Sequence, residues 1–284
     1  MESNIIRAII NLVHNPIVLI DDFSKSSNRV NIVGESFEEY VKNLFANTVS
    51  ESDAGKRDDE FKKYFSYEGT QNNPPDLTLF GGDAIEVKKI QSKYAGIALN
   101  SSFPKAKLYS DDQMLASSCF ERENWTEKDV LYVIGVVNKK VLKSLCMIYG
   151  MDYAANAGVY ENIKNAIKDG VLNIPDINFT DTNELGRVNL IDPLEITFLR
   201  IRGMWQIENP LKVFAGVYQT DDSKDFNMMA LINFDKYFSF KESDLNELEK
   251  LEKEDNLLSI KDVKIKNPDN PEQLRDAKLI TFSI

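Results

Sequence analysis

Asp76, Glu86 and Lys88 are the residues of this chain whose types and spacing best support chemistry. They lie in Pro75-Asp76-Leu77-Thr78-Leu79-Phe80-Gly81-Gly82-Asp83-Ala84-Ile85-Glu86-Val87-Lys88, where two carboxylates and a lysine flank a glycine turn. Two carboxylate oxygens suit a hard divalent cation such as Mg2+, which keeps several waters and completes its shell with phosphate oxygens. An ammonium two residues further on can orient or help deprotonate an attacking water and offset charge on a pentacovalent phosphate. The chemistry implied is metal-assisted hydrolysis of a phosphodiester. A proline-aspartate pair followed by E-x-K also occurs by chance in unrelated chains, so its weight depends on the elements that position it.

Thr-Leu-Phe before the glycines and Ala-Ile-Glu-Val-Lys after them read as two strands of a hairpin. With Gly81-Gly82-Asp83 as the loop, Phe80 faces Ala84, Thr78 faces Glu86 and Asp76 faces Lys88. Strand period two then puts Asp76, Glu86 and Lys88 on one face and Leu77, Leu79, Ile85 and Val87 on the other, toward a core. Upstream, Phe37, Val41, Leu44 and Phe45 recur at helical spacing, and Glu38 falls at the edge of that stripe, where it can reach inward. Ser36 reads as the N-cap of this helix, with Glu39 as its capping-box partner. Glu35 and Glu39 point away to solvent.

Gly34-x-x-Phe37-Glu38 on a helix, then Pro75-Asp76 and Glu86-Val87-Lys88 on a hairpin, resembles the PD-(D/E)XK nuclease superfamily. The blocks Asn73-Pro74-Pro75-Asp76, Gly81 to Lys89, Leu99 to Leu108, Asn183 to Asn189 and Leu199 to Trp205 are similar to stretches of NgoPII-like type II restriction endonucleases. They extend to about residue 215; the last seventy or so residues offer no motif. The resemblance implies a Mg2+-dependent endonuclease that cuts duplex DNA within a short palindrome, GGCC, as a homodimer, leaving 5'-phosphate and 3'-hydroxyl ends. It implies catalytic Asp76, Glu86, Lys88 and Glu38, with Asp76, Glu86 and Val87 holding the metal. Two other readings stay open: a nuclease of the same fold that cuts by DNA structure, and a catalytically silent DNA-binding protein. The intact Asp76, Glu86 and Lys88 argue against the silent one.

The formal net charge of −11 opposes a nucleic-acid partner taken at face value. Distribution matters more than the total. From Glu86 to Lys107 there are five lysines and one acid, whereas Lys241 to Asp262 holds eight acids and four lysines. The excess acid is expected on a solvated back, with the hairpin region facing phosphate. Lys89, Asn100, Ser101, Ser102, Lys105 and Lys107 are candidates for contacts to the DNA backbone. Arg187, Arg200 and Arg202 are candidates for reading guanine O6 and N7, or else phosphate clamps, and the strand spacing of Arg200 and Arg202 predicts projection on one face. Trp205 reads as core.

Helical and strand patterns alternate without repeats or long linkers, which predicts an α/β (α+β) fold with a mixed central sheet flanked by helices. The expected division is a catalytic core at about 30–150, a recognition region at about 151–240 and an acidic segment at about 241–284. Strands are expected at 130–137, 143–149, 196–202, 212–218 and 228–233, and helices at 4–14, 36–46, 159–169 and 243–255. No apolar run approaches membrane-spanning length, the first helix carries Glu2 and Arg7 and is not a signal peptide, and no membrane partner is expected. Two cysteines without ligand spacing and a single histidine, His14, disfavour zinc sites and histidine acid-base catalysis and suit a reducing cytoplasm.

Overall fold

Asn4 starts the first helix: its side-chain oxygen accepts the Arg7 N–H at 3.0 Å, and eight of the ten residues of α1 (Ile5–His14) are buried. The structure, a computed structural model, describes residues 2–20, 29–70, 73–180, 182 and 185–284. Helix α2 spans Arg29–Ala46, so Ser36 lies inside it and is not the N-cap; the side chains of residues 29–36 and the Asp21-Asp22 loop fall outside the described residues. The acid-rich stretch after it, from Glu51 to Glu60, which the sequence suggests is only a connection, leads into a third helix, α3 (Ala54–Tyr64), whose first turn is capped by the Asp53 carboxylate accepting from Gly55 and Lys56.

The central sheet is built from β1 (Phe65–Thr70), β2 (Asn73–Leu79), β3 (Ala84–Ile90), β6 (Glu127–Asn138), β7 (Val141–Tyr149), β12 (Asn227–Asn233), β14 (Asn270–Ser283) and β13 (Leu258–Asn267), in that spatial order. A ninth strand, β5 (Lys107–Tyr109), pairs with the first residues of β6. Pairing is parallel between β3 and β6 and between β7 and β12. The other neighbours are antiparallel, so the sheet is mixed as expected.

Strand β6 is apolar on both faces because both are covered. Leu131, Val133 and Val137 pack with α1, α2 and Phe65, whereas Val130, Tyr132, Ile134 and Val136 pack with Ile97, Leu99, Leu108 and Phe214. Gly135 falls on the first of these faces, between Val133 and Val137. A Cβ placed there would meet the Phe37 ring at 2.4 Å, so the glycine is what lets α2 rest directly on the sheet.

Between β7 and β12 the chain leaves the central sheet. It forms α4 (Ala157–Leu172), a three-stranded sheet of β8 (Asn178–Thr180), β9 (Gly186–Asn189) and β10 (Leu199–Ile201), and then β11 (Trp205–Ile207), which pairs with β4 (Ile97–Asn100). Residues 212–218, expected as a strand, instead begin with the short helix α5 (Pro210–Val213). Asn209 caps it by accepting the Leu211 N–H, and Pro210 fills the first turn. The sheet is completed beyond β12 through α6 (Phe234–Tyr237) and α7 (Glu242–Glu254), so residues 258–283 form two of its strands. Among the described residues no helix is long and apolar enough to cross a membrane.

Candidate active site

The hairpin of β2 and β3 forms with Leu77 opposite Ile85 and Thr78 opposite Ala84. This register is two residues from the expected one, and the turn is Phe80 to Gly82, closed by the Leu79 N–H donating to the Asp83 carbonyl. Gly81 takes the left-handed conformation there, at φ 63°. A slip of two leaves every side chain on its face. Leu77, Leu79 and Ile85 are fully buried against α1 and α2 with Val87 beside them, and Asp76, Glu86 and Lys88 stand together on the other face.

Lys88 shows how closely they meet. Its ammonium donates to Glu86 Oε2 at 2.7 Å and to Asp76 Oδ2 at 3.2 Å, with each of the three side chains 21–25% exposed. The Val87 N–H donates to the same Asp76 oxygen at 2.7 Å. Burial, with the nearby Asp76 charge, pushes the Glu86 carboxyl above its usual range although Lys88 pulls the other way. Burial would lower the Lys88 ammonium, but Glu86 and Asp76 outweigh it and hold the lysine above its ordinary value. Lys88 is therefore a fixed cation in this arrangement. Lys89 is displaced in the opposite direction, downward, by burial.

Glu38 reaches the site from α2. Burial raises its carboxyl, Lys42 lowers it and Asp76 raises it again, which places Glu38 within electrostatic reach of the hairpin. Lys42 lies 3.4 Å from Glu38 Oε1 and 3.1 Å from Glu68 Oε2 with its own side chain 14% exposed, so it spans α2 and β1. Sequence reasoning missed Lys42 and Glu68; the signal was the i,i+4 spacing of Glu38 and Lys42 on one helix.

Beside Glu86 a cleft opens, walled by Pro75, Leu99, Phe103 and Tyr132 and edged by Ser102 and Lys105. The Tyr132 hydroxyl accepts the Lys105 N–H at 2.8 Å, and the Lys105 ammonium is ion-paired with Asp112 and adds a Coulombic pull on Glu86. Lys107 is paired with Glu127 at 2.5 Å, and Lys93 with Asp222 at 2.6 Å. The run of lysines thus carries its own counter-charges, most of them from acids distant in sequence. Asn100 closes β4 opposite Trp205 of β11, which joins the Asn100-Ser101-Ser102 turn to the arginine-bearing segment. Trp205 packs edge-on to Phe103 and Tyr160 and belongs to the second core.

The arginines lie on the separate three-stranded sheet. Arg200 is exposed and opposite Arg187, whose guanidinium is 3.6 Å from the centre of the Phe198 ring. Arg202 falls one residue beyond the end of β10, so strand alternation does not extend to it.

Half-buried carboxylates held by one ammonium, on a hairpin beside a cleft, make a candidate site for hydrolysis, and the comparison with known proteins adds the family. The family model of the NgoPII restriction endonuclease matches residues 3–266. The chain belongs to the NgoPII restriction endonuclease family. A curated relative, the type II restriction enzyme NgoPII of Neisseria gonorrhoeae, is 53% identical over 282 residues, covering 99% of this chain and 100% of its own length. No solved structure matches. The likeness to the NgoPII family continues well past residue 215, where recognisable motifs end, into α7 and β13. As a member of this family the chain is a type II restriction endonuclease, and its substrate is DNA.

Among the described residues no group of three or more His, Cys, Asp or Glu side chains is arranged to hold a metal. The donor set instead fits the sparse oxygen coordination of Mg2+, which takes one or two carboxylates and fills the rest of its shell with water and phosphate. Asp76 and Glu86 converge on one point, held by the Lys88 ammonium, and burial raises the Glu86 carboxyl, so that a divalent cation placed there would favour its charged form.

Proposed function

We propose that this endonuclease hydrolyses phosphodiester bonds of duplex DNA with Mg2+, acting in the cytoplasm as a homodimer on the palindrome GGCC and leaving 5'-phosphate and 3'-hydroxyl ends. The observation that carries the chemistry is the meeting of Asp76, Glu86 and Lys88 at hydrogen-bonding distance on one face of the hairpin. Asp76 and Glu86, with Val87 between Glu86 and Lys88 on the strand, would hold the ion. Mg2+ bound there supplies a Lewis acid that stabilises charge on the scissile phosphate. Lys88 keeps its proton and offers a fixed positive charge to the attacking and non-bridging oxygens. Glu38, raised by burial, accepts and releases a proton at the edge of the site.

Backbone contacts fall to Ser102 and Lys105 at the cleft, and beyond it to Lys89, Asn100, Ser101 and Lys107. Arg187, Arg200 and Arg202 read guanines from the three-stranded sheet, the guanidinium fork matching O6 and N7. The organisation that follows is a catalytic core at about 30–150 with a recognition region at about 151–240.

The test is digestion of a plasmid of known sequence by the purified chain with Mg2+, followed by mapping of the ends. Discrete ends within GGCC that ligate without added phosphate are expected, and none with a chelator present. Ends scattered over the plasmid, or confined to junctions whatever their sequence, would overturn the site-specific reading.

A further inference from the structure

Segment 157–204 is built as if something else were meant to cover it. Twelve of the nineteen large apolar side chains that stand exposed among the described residues fall in this sixth of the chain, including Ile163 at 55%, Leu194 at 76% and Ile196 at 75%. Among its described residues the only buried hydrophobic one is Val188, and helix α4 has no buried residue at all. A helix and a three-stranded sheet of this size normally hide an apolar face in the domain's own core. Here α4 shows Val159, Ile163 and Ile167, at i, i+4 and i+8, to solvent at about half exposure, with Ala166 and Gly170 between them on the same side. Patches of this size on a soluble protein mark contact surfaces.

We infer that this segment is the surface on which a second copy of the chain docks, an inference that rests on the homodimer reading and assigns its contact. The area decides for a second copy. Twelve large apolar side chains, each 47–76% exposed, leave uncovered an apolar area on the order of the roughly 800 Å² per partner that a stable interface covers. Homodimer contacts are also the more apolar class, at about 65% non-polar area. Duplex DNA is the wrong occupant for these side chains, because its outer surface is phosphate and rewards cations. A patch carried by every copy meets its equal in a two-fold pair, so the shape must complement itself. An antiparallel pairing of α4 about a two-fold axis between Ala166 and Ile167 would set Ile163 of one copy over Gly170 of the other, a bulky side chain against open space. The arginines of β9 and β10 belong to the same segment, so pairing through it would bring the two sets of readers side by side.

Gly170 supplies a variant on the exposed side of α4, where an added Cβ meets nothing within 4 Å and a larger side chain starts into open space. The experiment is analytical ultracentrifugation of the full chain without DNA, alongside near-ultraviolet circular dichroism as a check on folding. Wild type is expected to sediment as a dimer. Ile163→Glu with Ile196→Glu, and separately Gly170→Trp, should sediment as folded monomers, while Tyr94→Glu, at a site 78% exposed outside this segment, stays dimeric. If the double variant fails to fold, Gly170→Trp alone decides. Wild type and Gly170→Trp both dimeric would overturn this surface and leave the homodimer reading standing. A monomeric wild type would overturn the homodimer reading and this surface with it.

Discussion

Replacing Lys88 by alanine would leave Asp76 and Glu86 facing one another in a half-buried site without the ammonium that now separates them. The expected outcome is a loss of at least about a hundredfold in the single-turnover cleavage rate, the usual scale for one transition-state group. Lys89→Ala, next along the strand, should change that rate by less than about tenfold. Asp76→Ala and Glu86→Ala should each abolish cleavage while circular dichroism and binding to duplex DNA persist, because neither side chain belongs to the apolar core. Among the arginines, truncating a base reader should relax choice at one base pair of each half-site by about 1–3 kcal/mol, measured as the ratio of cognate to single-mismatch cleavage. If Arg187→Ala, Arg200→Ala and Arg202→Ala all keep the wild-type ratio, base reading lies elsewhere. At this scale the meeting of Asp76, Glu86 and Lys88 was legible, since strand period two together with the pairing of the hairpin's strands gathers them. The sequence was mute about Asp112, whose pairing with Lys105 depends on a loop, and about Glu68, which meets Lys42 across two elements.

The hairpin shows what alternation carries and what it leaves open. Faces were readable because side chains alternate strictly, yet the register was missed by two, since turn length is set by the Leu79 to Asp83 closure and not by the glycines themselves. Strand β6 was legible from its apolar run, whereas α3 was missed because Phe61 is its only buried residue and no stripe exists to read. The supposed strand at 212–218 was lost to an Asn-Pro pair that favours a helix start over the alternation that follows it. One device outside the catalytic residues holds the hairpin turn. The Lys128 ammonium, on a residue only 5% exposed, donates to the carbonyls of Leu79 and Gly82 at 2.8 and 2.9 Å and lies 2.9 Å from Glu123. Lys128→Met should therefore cost about 3 kcal/mol in denaturant unfolding by stranding these acceptors. Gly135→Ala should cost about 1–3 kcal/mol by pushing the Phe37 ring away. Because Phe37 precedes Glu38, cleavage should fall further than stability does, and Phe37→Leu in the same chain should recover part of both.

For the molecule as a whole, the first helix is tied to the last by Asp244, which accepts from Asn4 and Arg7 at 2.8 Å each. Burial would raise that carboxyl, but the hydrogen bonds from Asn4 and Arg7 hold it below the usual carboxylate range. A depressed folded value means the stabilisation is complete above the ordinary carboxylate pKa of about 4 and is lost as pH falls through the folded one. Asp244→Ala should therefore lower stability by about 1–3 kcal/mol at neutral pH and flatten the acid limb of the unfolding curve. A chain of net charge −11 that acts on DNA invites the question of where its cations are. Of the five lysines between Glu86 and Lys107, four already hold carboxylates: Lys88, Lys93, Lys105 and Lys107. DNA arriving at this face does not neutralise bare cations; it exchanges one anionic partner for another. Each phosphate captured by a bare lysine would release counterions and add about 0.9 to the slope of log affinity against log salt, so five would give roughly 4–5 per chain. Partner exchange forfeits most of that release. Binding to random duplex should accordingly be weak and show a slope less than half as steep, which leaves the enzyme free to abandon wrong sites at the ionic strength of the cell.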